Sequence, residues 1–275
     1  ASVVSEKFWT LGDRSYRTYS GILENHMADR EECSAFGLII IGNEILDARR
    51  QDAHFEAAIR ILKARSIAMA YSMILPDVPE IIDAQLAWAM ARPEPFFCCG
   101  GIGATPDDYT RQCVARVAGV PIERHPEGEA ILRERLGDRS TEQRLRMIDF
   151  PKGAVLIPNP VNRIPGFRVK NGHFLPGFPE MAHPMMEWVL EAWFEEGQAQ
   201  TSAKLLLPDA READLVHTME VFIATNPELT FSSLPMYLED RGPVVELGIK
   251  GPPAAVEDGL GYLKMLLDTE DVEWE

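Results

Sequence analysis

Positive charge is scarce in this 275-residue chain: 27 lysines and arginines face 43 aspartates and glutamates, for a formal net charge of −16. Without a long-range attraction to steer a polyanion in, nucleic acid and anionic membrane surfaces are excluded as general partners. Cysteine is scarce too. Cys33, Cys98, Cys99 and Cys113 have neither metal-ligand spacing nor the density of a disulfide scaffold, which points to a reducing compartment. No stretch approaches the roughly 20 apolar residues of a membrane span, and the polar N-terminal stretch lacks a signal-peptide core. The expectation is a cytoplasmic protein with no membrane contact. No G-x-S-x-G elbow, Walker loop or paired C-x-x-C occurs. His54, His125, His173 and His183 are scattered and read as surface or supporting residues.

Apolar residues are plentiful, at 46% of the chain, enough for a sizeable core in one large domain or in one medium domain with a small companion. We favour two. Residues 1–35 carry no sustained period and read as an N-terminal extension. From residue 36 the pattern alternates: strand at 36–41 (FGLIII), helix at 51–65, strand at 67–75, helix at 79–92, strand at 95–99 and helix at 106–118, closed by Gly119. Helical stretches at 130–136 and 141–147 precede a strand at 154–157 (AVLI). Around Asn171-Gly172, residues 167–174 predict a tight hairpin that adds an antiparallel edge, and an apolar-striped helix follows from Pro179 to about residue 195. Strands separated by helices of this length imply an α/β domain over 36–195, its mostly parallel sheet covered by helices on both faces. After the polar stretch 195–202, the order strand, helix, strand, strand, helix over 203–275 predicts a small α+β domain suited to dimerisation or to covering the first domain.

Ligands of such sheets bind beyond the carboxyl ends of the strands. One loop there is unlike the rest: residues 100–110 read GGIGATPDDYT. Gly100, Gly101 and Gly103 let the backbone turn tightly and approach a ligand, and the helix that follows offers unpaired N–H groups to an anion. Thr105, Pro106 and Asp108 also fit a plain helix start, with Thr105 as cap and Asp108 closing a capping box. Capping alone does not call for three glycines. Asp107 and Asp108 would repel a bare phosphate, so the loop makes chemical sense with a divalent cation of the Mg, Mn or Co class between them, accepting a small phosphorylated metabolite. Asp77 follows the second strand, and neighbouring second and third strands would bring it near Asp108. Glu44 sits after the first strand as a further candidate ligand. Asn159, Asn162 and Gly177 lie in loops at the same end, and Arg111 and Arg163 are the nearby basic residues.

These motifs resemble the molybdenum-cofactor-biosynthesis domain family (MoaB/Mog-like), and more closely its competence/damage-inducible protein A (CinA) branch. The matching segments are IGNEIL (41–46), LPD (75–77), GGIGATPDDYT (100–110), PNPVNRIPGF (158–167) and LPGFP (175–179), in the family's order. The resemblance implies that functional carboxylates fall at Asp77 and Asp108 and that the glycine loop holds the ligand. It also implies metal-dependent hydrolysis of a pyrophosphate bond of the ADP-ribose or FAD class, with non-catalytic binding of molybdopterin or a related phosphorylated pterin as the alternative. A scaffold that has lost its chemistry is a third reading. Related proteins are commonly dimers or trimers, so a homo-oligomer is expected, and the nicotinamide-nucleotide deamidase activity of longer relatives is not. The chain departs from the family pattern at Asp47 and Asn162, where glycine is usual, at His54, where asparagine is usual, and at Glu180, which comes one residue early.

Overall fold

The computed structural model describes residues 30–238 and 242–275. The expected N-terminal extension therefore lies, for residues 1–29, outside the described residues. By its internal contacts the chain divides between Gly197 and Gln198.

The first unit is built on a six-stranded sheet. Its strands are β1 (Ala35–Ile41), β2 (Ala68–Leu75), β3 (Phe96–Cys99), β6 (Val155–Ile157), β7 (Gly166–Val169) and β8 (Gly172–Leu175). The spatial order is β2-β1-β3-β8-β7-β6. The first four run parallel, and β7 is antiparallel to both β8 and β6. Short strands β4 (Ile122–Arg124) and β5 (Asp149–Pro151) form a separate antiparallel pair that has no periodic signal in the sequence. The helices are α1 (Asn43–Leu46), α2 (His54–Lys63), α3 (Pro79–Met90), α4 (Thr110–Ala118), α5 (Pro126–Leu136), α6 (Glu142–Leu145) and α7 (Pro179–Trp193). Helix α2 packs with α7 and α3 with α4. Consecutive side chains of β1 point to opposite faces, and those from Phe36 to Ile41 are buried, so the sheet is covered on both sides.

Two expectations about the sheet need correction. The hairpin turn is Lys170-Asn171 rather than Asn171-Gly172, with Lys170 at φ 53° and Val169 paired to Gly172. Asn171 serves another purpose: its side-chain amide donates to the carbonyls of Ala89, Arg92 and Glu94, tying down the chain between α3 and β3. Gly172 then starts β8, which lies inside the sheet; the edge is β6. The second and third strands are also not neighbours, because β1 lies between them.

The core is aromatic. Phe36 stacks on Phe97 at 4.5 Å and Phe167 on Phe174 at 4.8 Å. His173, read from sequence as a surface or supporting residue, is fully buried among Phe36, Phe97, Trp193 and Phe194, its Nδ1 against the Phe96 carbonyl. Burial, with the nearby Arg168 charge, pushes its imidazole down to about 3. An unfolded chain binds that proton from about pH 6.5 downward while the native state refuses it until about pH 3. Stability is therefore present at neutral pH and is lost as pH falls through this window, by up to about 1.4 kcal/mol per pH unit for one proton. Burial lowers His54 and His183 as well, with the same sign. Denaturant midpoints should fall steadily from pH 7 to pH 4, and His173→Phe should flatten that slope; an unchanged slope would clear His173 of the effect.

The second unit is a three-stranded antiparallel sheet of order β10-β11-β9, from β9 (Thr201–Pro208), β10 (Thr230–Leu238) and β11 (Gly242–Gly251). Helices α8 (Val216–Thr225) and α9 (Pro253–Thr269) cover one face. Alternate residues Leu205, Leu207, Val245, Leu247 and Ile249 meet Phe222, Val256, Leu263 and Leu267 there. The expected helix from Ala210 begins only at Val216, after a 3₁₀ turn over Glu212–Leu215.

Candidate functional site

Because β1, β2, β3 and β8 are parallel and β6 follows two antiparallel steps, five strands end at one edge. The loops leaving that edge carry Asp77 after β2, Gly42 and Glu44 after β1, the glycine loop after β3, Gly177 after β8 and Asn159 after β6.

The glycine loop is held from behind. Gly100, at φ 107°, donates its N–H to the Leu175 carbonyl at 3.0 Å, and Gly101 stands at φ 68°. Fully buried Thr110 then pins two carbonyls: its hydroxyl donates to Gly100 O at 2.9 Å and its N–H to Gly101 O at 3.0 Å. Arg111, 5% exposed, pins a third by donating from Nη2 to Gly103 O at 2.5 Å. In a trans peptide the N–H points opposite to the C=O. Pinning these carbonyls inward turns the N–H groups of Gly101, Ile102 and Ala104 the other way, and among the described residues none of the three has a backbone acceptor. Successive backbone N–H groups facing one side make an anion-binding concavity.

The helix expected from Pro106 starts at Thr110 instead. Residues 105–108 form a turn, with the Asp108 N–H on the Thr105 carbonyl at 3.1 Å, and Asp108 Oδ2 accepts from both the N–H of Thr105, at 2.8 Å, and its hydroxyl. The two residues are thus linked reciprocally, as in a capping box, but at a turn rather than at a helix start. Hydrogen bonding from Thr105 also holds the Asp107 carboxyl below the usual carboxylate range. A Cβ on Gly103 would lie 2.5 Å from Asp108 Oδ2, so glycine is what lets this carboxylate lie against the loop.

Asp77 forms a clasp that sequence reasoning missed. Its carboxylate accepts the Asn43 N–H at 2.8 Å, and its own N–H donates to Asn43 Oδ1 at 3.3 Å. Burial raises the Asp77 carboxyl, and the negative charges of Glu44, Asp107 and Asp108 raise it further. These four acids share one field even with β1 between Asp77 and the glycine loop. Among the described residues, no group of three or more histidine, cysteine, aspartate or glutamate side chains is close enough to hold a metal, so Asp107, Asp108 and Glu44 do not converge as such a group.

Gly177 packs on the glycine loop: a Cβ there would stand 3.3 Å from Gly100 Cα. Its carbonyl faces His54 Nε2 at 3.3 Å. His54, expected nearer the surface, is 4% exposed, stands edge-on to His183 at 5.4 Å and lacks a partner at Nδ1. Fully buried Asn159 accepts at Oδ1 from the N–H groups of Val161 and Asn162, while its Nδ2 has no partner. Asn162 is spent within its neighbourhood, on Ile164 N–H and the Met181 sulfur. Arg111 and Asn43 could be found in the sequence only by asking which side chains lie one helical step or one loop away from the motif; no spacing rule marks them.

A family model described as a probable molybdopterin binding domain matches residues 37–196. Among relatives, a protein of Pyrobaculum calidifontis is 28% identical over 240 residues, covering 84% of this chain and 92% of that one. A CinA-like protein of Anaeromyxobacter sp. (strain K) is 33% identical over 161 residues, which are 56% of this chain and 40% of that longer protein. The crystal structure of CinA, a protein of unknown function from Thermoplasma acidophilum, aligns with a TM-score of 0.53 at 23% identity, over 58% of this chain and 98% of that one. At that identity the likeness speaks to the fold.

Proposed function

We propose, from the premise that this chain belongs to the molybdopterin-binding domain family and lies close to its CinA-like members, that it hydrolyses the pyrophosphate bond of a nucleotide-type metabolite of the ADP-ribose or FAD class. One observation carries the reading: three inward-pinned carbonyls turn the N–H groups of Gly101, Ile102 and Ala104 outward, beside Asp107 and Asp108. Amides receive phosphate oxygens, and the carboxylates suit a hard divalent cation. Magnesium-type ions are commonly held by one or two carboxylates together with substrate phosphates, not by an all-protein cage, which fits a site where no three ligands converge among the described residues. Asp108, whose Oδ1 takes no hydrogen bond from Thr105, and Asp107 would hold such an ion; Asp77 would act on it from across β1. When bound, the cation supplies Lewis-acid polarisation and a more acidic water. The loop amides orient one phosphate for in-line attack, in which water oxygen bonds to phosphorus and the bridging P–O bond breaks with its electron pair going to the departing phosphate. They also meet the charge that develops on the phosphoryl oxygens.

A second reading is saturable binding of molybdopterin or a related phosphorylated pterin without turnover. It is favoured by the commitment of Asp108 Oδ2 to Thr105. Incubating the full chain with ADP-ribose and FAD, with magnesium, manganese or cobalt, should release AMP only when metal is present. Calorimetric saturation with a phosphorylated pterin and no product from ADP-ribose or FAD would replace hydrolysis by binding, and neither heat with the pterin nor product from the nucleotides would remove both readings.

A further inference from the structure

Arg111 is a buried cation to which, among the described residues, no carboxylate is bonded. At 5% exposure it donates to the main-chain carbonyls of Gly103, Arg146 and, at 3.2 Å, Asp149, and its Nε has no partner. Burying a guanidinium opposite neutral dipoles, without a bonded counter-charge, costs stability that its hydrogen bonds offset only in part. The nearest negative groups acting on it, Asp108 and Asp149, reach it through space.

We propose that Arg111 is a positioning residue that makes the glycine loop a receptor for a phosphate or pyrophosphate group. It does so in two ways. By holding the Gly103 carbonyl, it keeps the Gly103–Ala104 peptide turned so that the Ala104 N–H faces away from Arg111, toward the proposed anion; released, that peptide would be free to rotate and present its carbonyl oxygen to an anion instead. Its charge, uncancelled by any bonded carboxylate, also sets a positive potential behind a loop whose front carries Asp107 and Asp108. Lysine would keep the charge but not the planar fork that reaches three carbonyls at once. This inference rests on the phosphate-site reading above.

The test uses the full chain and inorganic pyrophosphate, followed by ADP-ribose, each titrated calorimetrically with and without magnesium. Arg111→Met should weaken binding about tenfold or more, because a charge-assisted contact to the loop is lost, and should also lower the thermal midpoint, because three main-chain carbonyls lose their donor. Arg111→Lys should fall between wild type and Arg111→Met. A residue that only supports the fold would lower the midpoint while leaving the affinity of the folded protein, measured well below that midpoint, as in wild type. Variants that bind as wild type, or that both fail to fold, overturn the inference and leave the phosphate site standing. A wild-type chain that binds neither pyrophosphate nor ADP-ribose overturns both.

Discussion

Gly100→Ala is expected to cost roughly 2–6 kcal/mol of folding stability, the sum of a positive-φ penalty and a steric overlap. Gly100 stands at φ 107°, and an added Cβ would overlap the carbonyl oxygen of Ile41. That oxygen cannot retreat cheaply: Ile41 ends β1, the strand paired on both sides by β2 and β3. Gly119 supplies the control. It caps α4 at φ 73° with open space where its Cβ would go, so Gly119→Ala should cost only about 1 kcal/mol. Denaturant titrations of the two variants separate backbone strain, which both share, from the clash, which only Gly100 has. Equal losses would mean that the contact with β1 is looser than the geometry implies. The same experiment reports on the proposed site, since any shift that relieves Gly100 moves the peptides whose N–H groups lack backbone acceptors among the described residues.

Much of the architecture can be read from the chain because its buried parallel strands are continuous apolar runs. FGLIII becomes β1, and PFFCC contains β3. Such runs say that a strand is buried but not which strand lies beside it, so the sequence does not reveal that β1 rather than β3 is the neighbour of β2. The alternating exposure of β2, read from Ala68 to Ile74, is the mark of an edge strand, yet its sequence AMAYSMIL is too apolar throughout to display it. Three-residue strands such as β4 and β5 hold barely one repeat of the two-residue strand alternation, too little to establish a pattern. Asn171-Gly172 misleads for a different reason: its asparagine is required by three distant carbonyls and not by the turn.

The site divides along the same line. Which loops gather at the carboxyl edge follows from strand direction, and strand direction follows from the helices between the strands. The helix start at Pro106 was a local inference, and tertiary contacts overrule it: Thr110 is drawn onto Gly100 and Gly101, so the helix can begin only there and the acidic dipeptide stays in a turn. Asn43 and Arg111 act through contacts 34 and 8 residues away along the chain, respectively, and their roles become visible only once the loops are closed.

Asp108→Asn should separate binding from turnover. The asparagine side chain keeps one oxygen to accept from the Thr105 N–H, so the turn should survive with a loss of about 1 kcal/mol, the net worth of an ordinary hydrogen bond. Its missing charge acts in two directions. Without metal, one less negative group stands before the loop amides and near Asp77, so pyrophosphate and ADP-ribose should bind more tightly than to wild type. With metal, a ligand for the cation is gone, so kcat should drop roughly a hundredfold or more, as when one transition-state stabiliser is removed, and the metal concentration for half-maximal rate should rise. Steady-state kinetics across a metal series, beside metal-free calorimetry, read both effects. Unchanged kcat at saturating metal would move the chemistry away from Asp108, whereas weaker metal-free binding would mean that this carboxylate orders the loop more than it repels the anion.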